Sequence, residues 1–313
     1  MTSFDTRPNN RRGTIGVRRL QALVTERDLE LLRALREYRL LSTAHLRDLF
    51  FSSHRTPVAS KQACHRTLKR LSSYRLIAAT KRGQGGIGGG GLASVWTLGA
   101  AGERLLRHVE GDGAQPRKTR FDPSHTFFDH TLEVSDVVVR LVQASRAGLF
   151  ELLEIRGEPR NWRSFPGTVG GVRLVKPDLA VVTASDDYED HWFIEVDRGT
   201  ESTKTLIRKC HVYTDYQRSG IEQQRSGVYP RVLWLLPTQR RVELLRAAIE
   251  KERGLDPELF VVRTTDELVA AVASTAQSAE ASTSASDPLG GSTTKQRAAA
   301  HSGISGTSEG GER

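Results

Sequence analysis

WFIEVDRGTES, residues 192–202, decides how the second half of this chain is read. The apolar run Trp192-Phe193-Ile194 leads into two carboxylates one residue apart, Glu195 and Asp197. In a strand, side chains alternate, so Glu195 and Asp197 share one face and Ile194 and Val196 the other. A third acid, Asp178, lies in KPDLAVV just upstream. If the two strands pair, three carboxylates converge, and like charges so close require a cation, a shared proton or solvent. Oxygen-only ligands suit Mg²⁺ or Mn²⁺. Without a metal, Glu195 and Asp197 would pair with Arg198, Lys204 or Arg208 and tie sheet to helix.

Outward from this stretch, SHTFFDHTLEVSDVVVRLVQASRAG reads as a long helix over about 125–147, with Leu132, Val134, Val138, Leu141 and Val142 inward. FELLEIRGE, GVRLVKPDLAVVTA and HWFIEVDRG read as three strands. TKTLIRKCHVYTDYQRSG is a helix and PRVLWLLPT an apolar strand; a further helix (RRVELLRAAIEKERG) and strand (ELFVVRT) follow. The order αβββαβ, then αβ, implies a mixed sheet flanked by helices.

The first half has a different character. Net charge is +9 overall, yet residues 1–120 carry 23 Lys and Arg against 9 Asp and Glu, and residues 121–313 carry 23 against 28. The front half suits a polyanion and the back half does not. TERDLELLRALREYRLL opens on Thr25 as N-cap, with Leu31, Leu35 and Tyr38 at helical spacing. STAHLRDLFF follows with Ser42 as cap and Leu46, Leu49 and Phe50 inward. In SKQACHRTLKRLSSYRLI, Cys64, Leu68 and Leu71 form one stripe, opposite Lys61, Gln62, His65, Arg66, Lys69 and Arg70. Two strands around the run GQGGIGGGG and a closing helix, GAAGERLLRHVE, complete a winged helix-turn-helix, whose third helix enters the major groove. Arg75, Lys81 and Arg82 extend the expected DNA face. The glycine run joins two strands and lacks GK[ST], so it is a wing tip and not a phosphate loop.

These residues resemble two families. Pro177-Asp178 on one strand and Glu195-Val196-Asp197 on the next look like the PD-(D/E)xK, or restriction-endonuclease-like, fold. That resemblance implies that Asp178 and Glu195 hold a metal and that position 197 is a lysine that activates water; Asp197 itself is read as a third candidate ligand. Here 197 is aspartate, which cannot stabilise a developing oxyanion as an ammonium does. Lys204 in the following helix is the candidate replacement, Lys176 a weaker one, and Glu133 and Glu154 candidate extra ligands. The whole pattern over about 25–270, and E-V-D-R-G-T-E-S above all, is similar to the replication-relaxation family. This implies a role in replication or maintenance of a plasmid or integrative element.

The expected organisation is therefore an α/β (overall α+β) chain. A basic arm covers 1–22, a winged-helix DNA-binding domain 23–115, a nuclease-like αβββαβ domain 121–272, and a Ser/Thr/Ala/Gly-rich disordered tail 273–313. The expected activity is duplex-DNA binding with a degenerate nuclease site. The alternatives are a Mg²⁺-dependent nickase using Asp178, Glu195, Asp197 and Lys204, or a winged-helix transcriptional regulator. Double-stranded DNA, replication or conjugation proteins and a second copy of the chain are the expected partners. No signal-peptide pattern and no run of about 18 apolar residues occurs, so a cytoplasmic location is expected. Cys64 and Cys210 lack metal-ligand spacing, and His125 and His130 are not an HExxH pair.

Overall fold

Thr25 and Ser42 set the first two expected helix starts. In the computed structural model, which describes residues 15–80, 94–111, 125–167, 170–185 and 188–274, α2 (Glu26–Tyr38) begins on a capping box between Thr25 and Asp28. A second box, between Ser42 and His45, opens α3 (Thr43–Phe50). Each box satisfies backbone N–H groups that the helix leaves unpaired, and such caps contribute about 0.5–2 kcal/mol. Thr56 caps α4 (Pro57–Ser73), with Pro57 at its first position. The expected stripe Cys64, Leu68 and Leu71 is buried, joined by Ser60. β1 (Leu41–Ser42), β2 (Ile77–Ala79) and β3 (Val95–Leu98) form an antiparallel sheet with β3 in the middle. α5 (Ala100–Glu110) follows; a Cβ on Gly102 would lie 2.3 Å from the Leu76 carbonyl oxygen, so the helix can approach that loop only with glycine there.

The expected arm differs in one respect. Val17–Leu23 forms a helix, α1, with Leu20 buried in the core that α2, α4 and α5 share. A single inward leucine among basic residues is too sparse a pattern to read as a period. Residues 1–14, Lys81, Arg82 with the glycine run, and the tail from 275 lie outside the described residues.

In the second half, α6 (His125–Arg146) precedes a five-stranded sheet. Its order is β10 (Phe260–Thr264), β9 (Arg231–Leu236), β8 (Tyr188–Val196), β7 (Leu179–Ser185), β4 (Glu151–Gly157). β8, β9 and β10 are mutually parallel, whereas β7 is antiparallel to β8 and β4 to β7. WFIEV is thus the central strand, buried on both faces, which is why it reads as a continuous apolar run. Trp192, Ile194 and Val196 face α6 and a helix over 268–274. Phe193 faces α7 (Thr203–Arg218), in a core that also takes in α9 (Gln239–Lys251). A short helix, α8 (Ile221–Ser226), leads into β9.

The segment read as one strand, residues 171–184, is two. β6 (Val172–Val175) pairs with β5 (Arg163–Pro166) in a separate hairpin, and β7 starts only at Leu179. Pro177 has no N–H for a ladder; its carbonyl accepts from Asn161 Nδ2 at 2.6 Å, and the Asp178 N–H donates to the Ile194 carbonyl at 3.0 Å.

α6 is more than the first helix of a second domain. Val139 belongs to the core built by α2–α5, whereas Val137, Val138, Leu141 and Ala144 belong to the sheet core. A helix apolar around most of its girth must be covered on several sides. Polar ties reinforce the seam. Ser135 Oγ donates to the Leu40 carbonyl at 2.7 Å, Arg146 Nη2 to the Leu49 carbonyl at 2.6 Å, and the Gly157 N–H to Glu37 Oε1 at 2.9 Å. The described elements accordingly fall within one compact unit ending at Ala276. Among the described residues no helix is long and apolar enough to cross a membrane.

Candidate functional site

Glu195 points from β8 toward α7 and is 4% exposed. Its Oε1 accepts from the Tyr213 hydroxyl at 2.5 Å, and Lys209 Nζ lies 3.4 Å from its Oε2. Lys209 also reaches Glu201 Oε1 at 3.2 Å. Asp178, at the mouth of β7, is held from two sides. Its Oδ1 lies 2.9 Å from His130 Nε2, and its Oδ2 accepts from the Val196 N–H at 2.8 Å. The two carboxylates feel one another. Burial first, and then the charge of Asp178, push the Glu195 carboxyl up to about 7, against the lowering effect of Lys209 and Tyr213. Burial lowers the Lys209 ammonium, but Glu195, Glu201 and Asp178 outweigh it and hold its pKa above the usual lysine range. At His130, burial likewise opposes the charge, and the hydrogen bond to Asp178 raises the net value. A cavity of about 260 Å³, lined by His130, Val196, Thr200, Glu201 and Lys209 among others, opens beside the cluster.

Asp197 shares the side of the sheet with Glu195 as strand alternation requires, but it does not join this cluster. Its Oδ2 takes Arg241 Nη2 at 2.5 Å and Nε at 3.0 Å, and its Oδ1 accepts from the Gly199 N–H. Lys204 is exposed in the first turn of α7, so Lys209, five residues further along the helix, supplies the ammonium beside Glu195. The missed signal is the helical period. Leu206, Cys210 and Tyr213 are buried on α7, and Lys209 flanks that stripe four residues before Tyr213. Lys176 lies over the Trp162 ring, 4.3 Å from its centroid, Glu133 pairs with Arg198, and Glu154 with Arg156.

Does this set fit a divalent metal? All six oxygens of Asp178, Glu195 and Asp197 already face a protein donor or the His130 ring. Among the described residues no group of three or more His, Cys, Asp or Glu side chains is placed to hold an ion. As arranged, the residues do not fit Mg²⁺ or Mn²⁺, which need several free oxygens at about 2.0–2.1 Å for Mg²⁺.

On α4, Lys61, Gln62, His65, Arg66 and Lys69 are exposed, and no acidic residue interrupts the helix. Among the described residues none of the five has a charged or hydrogen-bonded side-chain partner. Arg70 is different. Its Nη2 lies 2.8 Å from both oxygens of buried Asp28, and its Nη1 donates to the Leu23 carbonyl at 3.0 Å. It holds α4 to α2 and leaves the expected DNA face. Arg70→Ala should therefore lower stability by about 1.5–3 kcal/mol, the value of charge-assisted hydrogen bonds, and shift the denaturant midpoint; Lys69→Ala should leave it in place. Arg75, just past the helix, is exposed and left-handed (φ 58°).

The fold and site define a mixed α+β protein. A small helical and three-stranded half is joined through one shared helix to a five-stranded mixed sheet with a carboxylate–lysine cluster at its centre. The chain belongs to the replication-relaxation family, whose model matches residues 32–232, most of the described structure. Neither curated proteins nor solved structures yielded a match.

Proposed function

We propose that this protein binds duplex DNA through α4 and serves replication or maintenance of a plasmid or integrative element. One observation carries the reading: the exposed face of α4 presents Lys61, Arg66 and Lys69 with no acidic residue among them, and these charges are not spent on neighbouring acids. The order α2, β1, α3, α4, β2, β3 supports a winged helix-turn-helix, in which α4 is the helix that enters the major groove. Family membership supports the mobile-element role. Contact with replication or conjugation proteins and a dimer on a two-fold DNA site belong to the same proposal.

With the β5–β6 hairpin set aside, the order α6, β4, β7, β8, α7, β9 supports a restriction-endonuclease-like second half. Its acids, each engaged by protein donors, support a degenerate site without hydrolysis. The alternative reading, metal-dependent nicking by Asp178 and Glu195, requires these carboxylates to be released from His130, the Val196 N–H, Tyr213 and Lys209. The two readings part on whether a divalent cation binds the wild-type protein. The DNA-binding reading is tested by fluorescence anisotropy of labelled duplex with wild type and Lys61→Ala/Arg66→Ala/Lys69→Ala at several salt concentrations. Equal affinities and salt slopes would rule out α4 as the contact surface.

A further inference from the structure

We propose that the Lys209 ammonium is the resident cation of the central cluster, standing where a divalent metal would sit between Glu195 and Glu201 and closing these carboxylates to Mg²⁺ and Mn²⁺. The inference concerns the second half alone, so it and DNA binding by α4 stand or fall separately.

Its basis is the position of one side chain. Glu195 lies on the central strand at 4% exposure, with Asp178 near enough for the two acids to perturb each other. A buried acid beside a half-buried one of like charge is stabilised in its ionised form by a positive neighbour. Lys209 provides it from α7, bridging Glu195 at 3.4 Å and Glu201 at 3.2 Å. The same Nζ lies 5.8 Å from the Trp234 ring centroid, so the indole forms one wall of the ammonium's seat. The remaining oxygens of Glu195 and Asp178 are taken, whereas Glu201 keeps its Oε2 without a hydrogen-bond partner. Tyr213 donates to the second Glu195 oxygen, and His130 and the Val196 N–H cover Asp178.

An ammonium neutralises this cluster as a metal would, but with different consequences. It carries three donors and no vacant coordination position. It therefore cannot polarise a phosphoryl oxygen or generate a bound hydroxide near neutral pH, as a Lewis-acidic ion does. Asp197 agrees with this arrangement. At the position where a lysine would serve a metal-bound water, an acid has turned away to Arg241. The second-half fold keeps the charge balance of a cation site while supplying the cation from its own helix.

The test is thermal unfolding of the full chain with increasing Mn²⁺, for wild type, Glu195→Gln, Lys209→Met and Lys209→Met/Glu195→Gln. Wild type should show no shift in Tm. Lys209→Met, in which the cation has been removed and the acids left, should start lower and gain roughly 5 °C or more once Mn²⁺ exceeds its Kd a hundredfold. Adding Glu195→Gln should abolish that gain. A Mn²⁺-dependent rise in wild-type Tm that Glu195→Gln removes would overturn the proposal. So would a folded Lys209→Met that Mn²⁺ does not stabilise. Should Lys209→Met fail to fold, the wild-type titration decides alone: no shift sustains the proposal and a Glu195-dependent shift ends it.

Discussion

Arg241→Ala lowers the unfolding free energy by about 3–5 kcal/mol, the cost of leaving a buried charge without its partner. The Asp197 side chain is 2% exposed, and Arg241 meets it through two nitrogens, at 3.0 and 2.5 Å. Arg241 Nη2 also donates to the Glu201 carbonyl at 2.9 Å. One guanidinium thus anchors the end of the central strand, the loop after it and the start of α9 together. Removing it strands a carboxylate that only the Gly199 N–H still satisfies. Asp197→Asn in the Arg241→Ala background should recover a large part of the loss, because the stranded charge is gone. Denaturant midpoints of the two single variants and the double variant measure this. A loss below about 1 kcal/mol would assign the pair to the weak surface class.

The second large effect is on DNA. Each phosphate contact contributes a salt slope of about −0.9 in log affinity on duplex DNA. If Lys61, Arg66 and Lys69 each neutralise one phosphate, the triple alanine variant loses about 2.7 from the slope. Between 50 and 200 mM salt, wild type should then lose about 40-fold more affinity than the variant. The three side chains are exposed, and their truncation leaves the buried stripe Ser60, Cys64, Leu68 and Leu71 untouched. Unfolding midpoints should therefore stay within about 0.5 kcal/mol of wild type. An unchanged slope with an unchanged fold would place the DNA contact elsewhere.

Local chemistry made much of this architecture legible. Thr25 and Ser42 announce their helices because a capping box needs only residues three apart. Cys64, Leu68 and Leu71 reveal the inner face of α4, since a helical stripe is written at fixed spacing. WFIEV reads as a strand from its apolar run, and the run is continuous because the strand lies at the centre of the sheet with both faces covered. What was hidden depends on residues far apart in the chain. Arg241 lies 44 residues from Asp197, and Arg70 42 from Asp28. No local pattern says that one basic residue of α4 turns inward while its neighbours face water. The choice between Lys204 and Lys209 was nearer to hand, because the buried stripe of α7 places only the second beside β8. The β5–β6 hairpin was masked because Val172, Leu174 and Val175 lead on to Leu179-Ala180-Val181-Val182, and the break at Lys176-Pro177-Asp178 divides them into two strands.

DNA contact by the exposed face of α4 is the claim on which the functional reading rests, and site-specific photocrosslinking tests it most directly. A benzoylphenylalanine in place of His65, on that face, is compared with one in place of Leu244, which is exposed on α9. On irradiation with labelled duplex DNA, the α4 probe should form a covalent adduct that unlabelled duplex and high salt both suppress, and the α9 probe should form none. Adducts from position 244 with none from position 65 would contradict it.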